Sequence, residues 1–306
     1  MTKINVLHFT LVINRHDFID VIVRYSDKSR FHQQACVMDD KSNIAYHDYP
    51  KDGIPYYDLK VSHSLFGYMK AVFKLARILR KEKTDILHTH HFYESFVGML
   101  AVLFSPRTKH VFGRHYHEEF YITASGIKLK WYLWLEGLVN KSCDAIISPS
   151  TLINQLLTKQ GVRSEKIHHV PYGFEFDKER YQLMPAAVRE EKRKAYGWQN
   201  QYLIGNFGRH HPIKGQEYLL EAFASFSSQH PDAKLIMVGA GPIHEQLLQK
   251  AKDLNLTGKV EFMGWRRDGH ELMKLMDVIV HPTLQEAFPQ TMIEVMVVEV
   301  PLIITP

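Results

Sequence analysis

Cysteine is nearly absent: Cys36 and Cys143 are the only two in 306 residues. They lie in different segments with no Cys-x-x-Cys pair. That excludes a disulfide scaffold and a zinc knuckle, and points to a reducing compartment. No apolar run reaches the ~18 residues that a membrane-spanning helix needs. The start of the chain runs straight into the strand-like segment Ile4–Phe9 without the pattern of a signal peptide, so the expected location is cytoplasmic. No Gly-x-Gly-x-x-Gly follows that first strand, which disfavours nicotinamide chemistry. No basic patch interleaved with aromatics is present, which disfavours a nucleic-acid partner. Internal repeats and low-complexity segments are also missing.

What remains is an ordinary globular composition, 45% hydrophobic and 23% charged. It is too apolar for a disordered chain and long enough for about two domains. The formal charge of +5 and a pI near 8.9 suit anionic partners without choosing among nucleotide phosphates, phospholipid head groups and nucleic acid. The 19 histidines are spread along the chain, which argues against a single metal cluster.

Short Val/Ile/Leu runs alternate with helical patterns from end to end. Continuous rather than alternating apolar runs are the mark of parallel strands covered on both faces. Repeated strand–helix units predict an α/β architecture. The strand pattern breaks at Pro171-Tyr172-Gly173-Phe174-Glu175 and restarts at Tyr202, after the charged stretch Arg189–Lys194. The simplest division is an N-terminal domain over 1–175, a linker over 176–200 and a C-terminal domain over 201–306. The stretch Lys70–Lys83 is basic and amphipathic. A membrane-surface helix is one reading, but the stripe Val72, Leu75, Ala76 and Leu79 favours a covering helix with a solvated cationic face.

Two segments can carry chemistry. In Gly205–Gly215, a buried strand ends at Phe207, Gly208 allows a tight exit, and two cations follow five residues apart, Arg209 and Lys214. Ligands of open α/β sheets bind beyond the carboxyl ends of strands. An arginine fork and a lysine point charge there suit a diphosphate. In Glu286–Glu294, Pro289 opens a helix whose first N–H groups can hold an anion, and Glu286 and Glu294 could hold hydroxyls of a sugar and a ribose.

Together these segments resemble the group 1 (family 4) retaining glycosyltransferases. The resemblance rests on Gly-Arg-x4-Lys-Gly at 208–215 and Glu-x7-Glu at 286–294. It is supported by Val170–Glu175, Val238-Gly239-Ala240-Gly241-Pro242 and Val260–Gly264, in the same order over most of residues 80–306. It implies two Rossmann-like domains with mostly parallel sheets, the GT-B fold, and an active site in the cleft between them. It further implies transfer of a sugar from a nucleotide diphosphate donor to a glycan or lipid-linked acceptor, with retention. By the same resemblance, Arg209 and Lys214 would neutralise the donor diphosphate, with Gly208 at the strand exit. Glu294 would bind ribose. Glu286 would hold the transferred sugar, helped by Phe288, Pro289, Gln290 and Thr291. No metal or cofactor would be needed, because fixed cations and a helix end stabilise the leaving group. Peripheral contact with the inner face of the cell membrane would fit a lipid-linked acceptor. The competing readings are a relative that binds nucleotide sugar without turnover, and a nucleotide-sugar 2-epimerase of the same fold.

Histidines gather in the first domain at Asp85–His91 and at Gly113–Glu119. The resemblance places His115 opposite the donor sugar, with His117 next. A metal set of His115, His117 and Glu118 is a weaker alternative. His168-His169 and His210-His211 read as incidental, although the last pair could touch a phosphate if protonated. Two departures stand out. The loop Thr10–Arg15 lacks the glycine-rich turn of many relatives, and Glu299 stands where they favour glycine. The final segment Val300–Pro306 reads as a buried strand, so the second domain is expected to be incomplete at its C-terminus, exposing apolar surface and lowering activity.

Overall fold

Parallel strands buried on both faces form the centre of each half of the protein. The computed structural model describes residues 3–305 apart from 12, 14–17, 40–47, 63, 116–123, 175–180, 287 and 289. The chain divides into two units, Met1–Glu175 and Phe176–Pro306.

The first unit runs β1 (Ile4–Thr10), α1 (Phe18–Tyr25), β2 (Phe31–Val37), α2 (Asp48–Lys51), β3 (Tyr56–Asp58), α3 (Leu65–Lys81) and β4 (Ile86–His90). It continues with α4 (Phe92–Val102), β5 (Lys109–Gly113), α5 (Gly126–Ser142), β6 (Ala145–Ser148), α6 (Thr151–Lys159) and β7 (Ile167–His169). Its sheet has the order β3-β2-β1-β4-β5-β6-β7, and each pairing is parallel. The second unit contains α7 (Ala186–Ala195), β8 (Tyr202–Phe207), α8 (Gln216–Gln229), β9 (Ala233–Val238), α9 (His244–Asp253) and β10 (Val260–Gly264). After these come α10 (Gly269–Met273), β11 (Val278–His281), α11 (Gln290–Val297) and β12 (Leu302–Ile304). Its order is β10-β9-β8-β11-β12, again wholly parallel.

Both sheets are doubly wound. The winding reverses between β1 and β4 in one and between β8 and β11 in the other. At such a reversal the loops leaving two neighbouring strands diverge to opposite faces and leave a crevice, which is where ligands of this architecture bind.

Local chemistry fixes the helices that flank these points. Ser64 caps α3 by accepting from the Gly67 N–H at 3.1 Å, a contact that contributes about 1 kcal/mol. The stripe Val72, Leu75, Ala76 and Leu79 then packs on Leu7, Phe9 and Leu87 of the sheet. The expected covering role of this helix is therefore present.

The expected linker over 176–200 is not one along its second half. Residues 186–195 form α7, and Trp198 sits fully buried among Leu203, Ile236 and Ile279. Burying an indole contributes several kcal/mol, at ~25 cal/mol per Å² over roughly 200 Å². Arg189 and Arg193 add ion pairs to Asp277, each at 2.9 Å. The run of charges that suggested a solvated linker is the outer face of a helix whose arginines reach inward.

Candidate functional site

The two loops that leave β8 and β11 at the reversal of the second sheet are joined directly. Leu284 donates its N–H to the Ile213 carbonyl at 2.7 Å, and the Thr283 hydroxyl donates to the same carbonyl at 3.1 Å. Asn206 donates to the Val280 carbonyl at 2.9 Å, tying the strands just before the loops begin. Gly215 has φ +63°, and a Cβ built there would lie 2.0 Å from the Pro282 carbonyl oxygen. Glycine is required on both counts, since other residues pay for the left-handed region and none has room.

This closeness brings Lys214 onto Glu286: the ammonium donates to the carboxylate across the two loops in a direct ion pair, about one-fifth exposed on each side. His281, the last residue of β11, stands 3.8 Å from the same carboxylate oxygen. Burial pushes the Glu286 carboxyl up, but the Lys214 cation bonded to it, with His281 nearby, outweighs burial and holds it below the ordinary value. Glu286 is therefore an anion with a fixed cation beside it.

The other expected donor residues are placed less closely. Arg209 is exposed and makes no ion pair with a described residue; its carbonyl accepts from Gln216 at 3.0 Å. Gly208 directly follows β8, and its N–H donates to the Val238 carbonyl at 3.0 Å. Glu294 is half-buried on α11 and accepts from the Tyr181 hydroxyl at 3.3 Å. Gln290 and Thr291 open α11, and Phe288 lies two residues before it; Pro289 lies outside the described residues. His210 is not available to a phosphate. It is fully buried and stacked on His244 with ring nitrogens 2.9 Å apart, and burial together with His244 lowers its pKa to about 4. His211 instead accepts from the Ile213 N–H and starts a short turn.

The first unit has its own constellation at the β1/β4 reversal. His8 and His88 are paired across the two strands, and His90 lies on the same face two residues on. Ring nitrogens of the three lie within 4.8 Å of one another. They continue as a line of hydrogen bonds: Gln33 Oε1 to His8 Nε2 (2.9 Å), His8 Nδ1 to His90 Nε2 (3.1 Å), His90 Nδ1 to His115 Nε2 (2.7 Å), and His115 Nδ1 to the Tyr172 hydroxyl (2.7 Å). Burial is the largest cause that lowers the pKa of each imidazole, to about 4 for His8 and well below the ordinary value for His90 and His115. All three are neutral. The Gln33 carbonyl can only accept, so His8 carries its proton on Nε2, and the same tautomer passes to His90 and His115. The line ends with Tyr172 donating to His115 Nδ1.

Gly113 makes room for this line. A Cβ there would lie 2.5 Å from His115 Nε2 and 3.0 Å from His88 Nε2, and His88 Nε2 is buried with no hydrogen-bond partner. Arg114 anchors the neighbouring position through a fully buried ion pair to Glu136 of α5, which also accepts from Gln160 at 2.9 Å. The expected metal set falls outside the described residues at His117 and Glu118. The imidazoles that do converge belong to β1 and β4. The parallel register that joins them was not visible in a list of histidines, because it needs the strand order.

Two family models match the sequence, one described as Glycosyltransferase Family 4 over residues 19–178 and one as Glycosyl transferases group 1 over residues 188–306. The chain belongs to the group 1 (family 4) glycosyltransferases. This glycosyltransferase is 28% identical over 250 residues to the UDP-Gal:alpha-D-GlcNAc-diphosphoundecaprenol alpha-1,3-galactosyltransferase of Escherichia coli, covering 79% of this chain and 63% of that protein. It is 26% identical over 252 residues to an uncharacterized glycosyltransferase of Methanocaldococcus jannaschii, MJ1059, covering 78% of this chain and 60% of that protein. The glycosyltransferase thus spans less than two thirds of the length of these curated relatives. Among solved structures, Anabaena Alr3699/HepE in complex with UDP and glucose superposes with a TM-score of 0.77 at 21% identity, covering 98% of this chain and 80% of that one. The fold is GT-B, as the resemblance implied.

Proposed function

We propose that this glycosyltransferase moves a hexosyl group from a UDP sugar to a lipid-linked or glycan acceptor, with retention at the anomeric carbon and without a metal ion. The observation that carries the reading is the Lys214–Glu286 pair at the β8/β11 reversal. It puts a cation and an anion side by side where a sugar diphosphate needs both. The diphosphate would take Lys214, with Arg209 as the second cation. The carboxylate of Glu286 would then be left to accept from hydroxyls of the transferred ring, and Glu294 from those of the ribose. The UDP and glucose bound by the Anabaena neighbour and the diphosphoundecaprenol-linked sugar named for the Escherichia coli relative support these choices of donor and acceptor.

In this reaction the bond from C1 to the phosphate oxygen breaks, and the acceptor oxygen bonds C1 from the same face. The acceptor proton passes to the departing diphosphate. Lys214, Arg209 and the start of α11 stabilise the negative charge that grows on that leaving group. His115 already uses both ring nitrogens inside the first unit, so a role at the transferred sugar requires Tyr172 to give up its bond to Nδ1.

The test is a thermal-shift screen against nucleotide sugars, followed by NMR of the product in the presence of EDTA. Stabilisation by a UDP sugar and an axial product linkage formed in EDTA are expected. An inverted linkage would refute retention. Turnover lost on chelation and restored by Mg²⁺ or Mn²⁺ would refute metal independence. A released 2-epimer with no acceptor product would favour the epimerase reading.

A further inference from the structure

Three histidines of the first unit stand where a parallel sheet covered on both faces ordinarily buries apolar side chains. His8 of β1 pairs with His88 of β4 in the parallel register, and His90 follows on the same face. Their rings are packed together, with centroids 5.1 Å apart for His8 and His88 and 4.1 Å apart for His88 and His90. All three are buried. Phe18 of α1 leans over the end of the group, its ring centroid 5.8 Å from that of His90 and 4.2 Å from that of His115.

Hydrogen bonding accounts for two of the three. His8 and His90 use both ring nitrogens in the row from Gln33 to Tyr172. His88 is left over, because its Nε2 is buried and has no partner. A buried polar atom in that state is costly and asks for a ligand. One nitrogen from each of the three rings lies within 4.8 Å of the other two.

We propose that His8, His88 and His90 form a site for a divalent transition-metal ion of the zinc type. Imidazole is a ligand that suits such ions. Zinc holds ring nitrogens at about 2.0–2.1 Å in a tetrahedron, which puts them about 3.4 Å from one another. His8 Nδ1 and His90 Nε2 are already 3.1 Å apart. His88 then has at most about 1.4 Å to close, within reach of a small rotation of its side chain. Three imidazoles leave the fourth position to water. An outer partner is also in place: Gln33 accepts from His8 Nε2–H at 2.9 Å and so turns the Nδ1 lone pair towards the ion.

A bound ion would tie β1 to β4 and reverse the far part of the row. His90 must offer Nε2, so its proton moves to Nδ1 and is donated to His115 Nε2. His115 then carries its proton on Nδ1 and donates to the Tyr172 oxygen. Each ring keeps one proton, and the Tyr172 hydroxyl hydrogen is released from His115. No step of the proposed transfer runs through this ion, so turnover in EDTA remains the expectation for that reaction.

The experiment is calorimetric titration of the full chain, stripped with EDTA and desalted, with Zn²⁺ alone. Saturable binding of one ion per chain is expected, and the first unit should melt about 5–10 °C higher at free Zn²⁺ of about a hundred times Kd. Gln33→Leu removes an outer partner and should weaken binding roughly 10–100-fold; His88→Gln removes a ligand and should weaken it at least about a hundredfold. His168→Ala/His169→Ala removes two exposed imidazoles and should change nothing. Co²⁺ in place of Zn²⁺ should give the intense visible absorption of a four-coordinate ion, a reading on the unaltered chain that stands even if His88→Gln does not fold. Long-range ¹H–¹⁵N spectra should show the His115 proton passing from Nε2 to Nδ1 as Zn²⁺ is added. Absence of saturable binding, the weak spectrum of an octahedral ion, or affinity kept in Gln33→Leu and lost in His168→Ala/His169→Ala would overturn the proposal. So would a His115 tautomer unchanged at saturation.

Discussion

Replacing Gly215 by alanine tests whether the two loops of the second unit are held together as described. Two costs are separable. The first is the left-handed backbone, φ +63°, which costs an alanine about 1 kcal/mol net. The second is the approach of the new Cβ to the Pro282 carbonyl oxygen at 2.0 Å. Relief requires the loops to part by more than about 1 Å, since carbon and oxygen rarely approach within ~3.2 Å. Parting them sacrifices the hydrogen bonds that Ile213 accepts from Leu284 and Thr283, at about 1 kcal/mol each, and strains the Lys214–Glu286 pair. The total is roughly 3–5 kcal/mol. Gly197 supplies the control, with φ +73° and no atom within 4 Å of its Cβ position. Gly197→Ala should therefore lose only about 1 kcal/mol, or roughly 3 °C in the melting of the second unit, against about 10–15 °C for Gly215→Ala. Scanning calorimetry reads both. Equal losses in the two variants would show that the close approach contributes nothing, and the joined-loop description would fail.

The remaining predictions concern charge. Arg209→Ala/Lys214→Ala should weaken UDP binding by about two to four decades in calorimetry; unchanged affinity would remove both cations from the donor site. Glu286→Gln should lower the rate of transfer with UDP affinity nearly kept, and Glu294→Gln should do the reverse; equal UDP affinity in wild type and Glu294→Gln would remove the ribose role. The buried imidazoles predict a pH limit on the first unit. Burial lowers His8, His91 and His110 to about 4 from the ordinary 6.5, so between those values the unfolded chain binds protons that the folded one does not. Stability is then complete above pH 6.5 and falls as pH drops towards 4, by up to about 1.4 kcal/mol per histidine per unit. A melting temperature constant from pH 7.5 to 5 would contradict this.

Much of the architecture is legible in the sequence because parallel strands covered on both faces leave continuous apolar runs, as at Tyr202–Phe207 and Lys234–Val238. Short or polar elements are less visible. The edge strand Tyr56–Asp58 carries little apolar signal, and the α7 arginines conceal their inward reach behind a hydrophilic composition. In the candidate site, spacing along the chain identifies Arg209, Lys214, Glu286 and Glu294 as candidates. It cannot show that Lys214 and Glu286 touch, because that depends on β8 and β11 being neighbours. Nor does spacing along the chain place the His281 ring beside Glu286, where it stands. His8 and His90 were missed as partners of His115 for the same reason: their meeting follows from strand order, which no periodicity encodes.

The line from Gln33 to Tyr172 behaves as a row of compasses aligned by one end. A carbonyl oxygen at Gln33 sets the first needle, and each neutral ring passes its orientation to the next. The Tyr172 hydroxyl spends its proton on His115, so towards any other group that oxygen can act only as an acceptor. A lysine in place of Gln33 would turn every needle around and make the Tyr172 hydroxyl accept from His115 instead of donating to it. The preference of one hydroxyl oxygen is thus decided four side chains away, on strand β2.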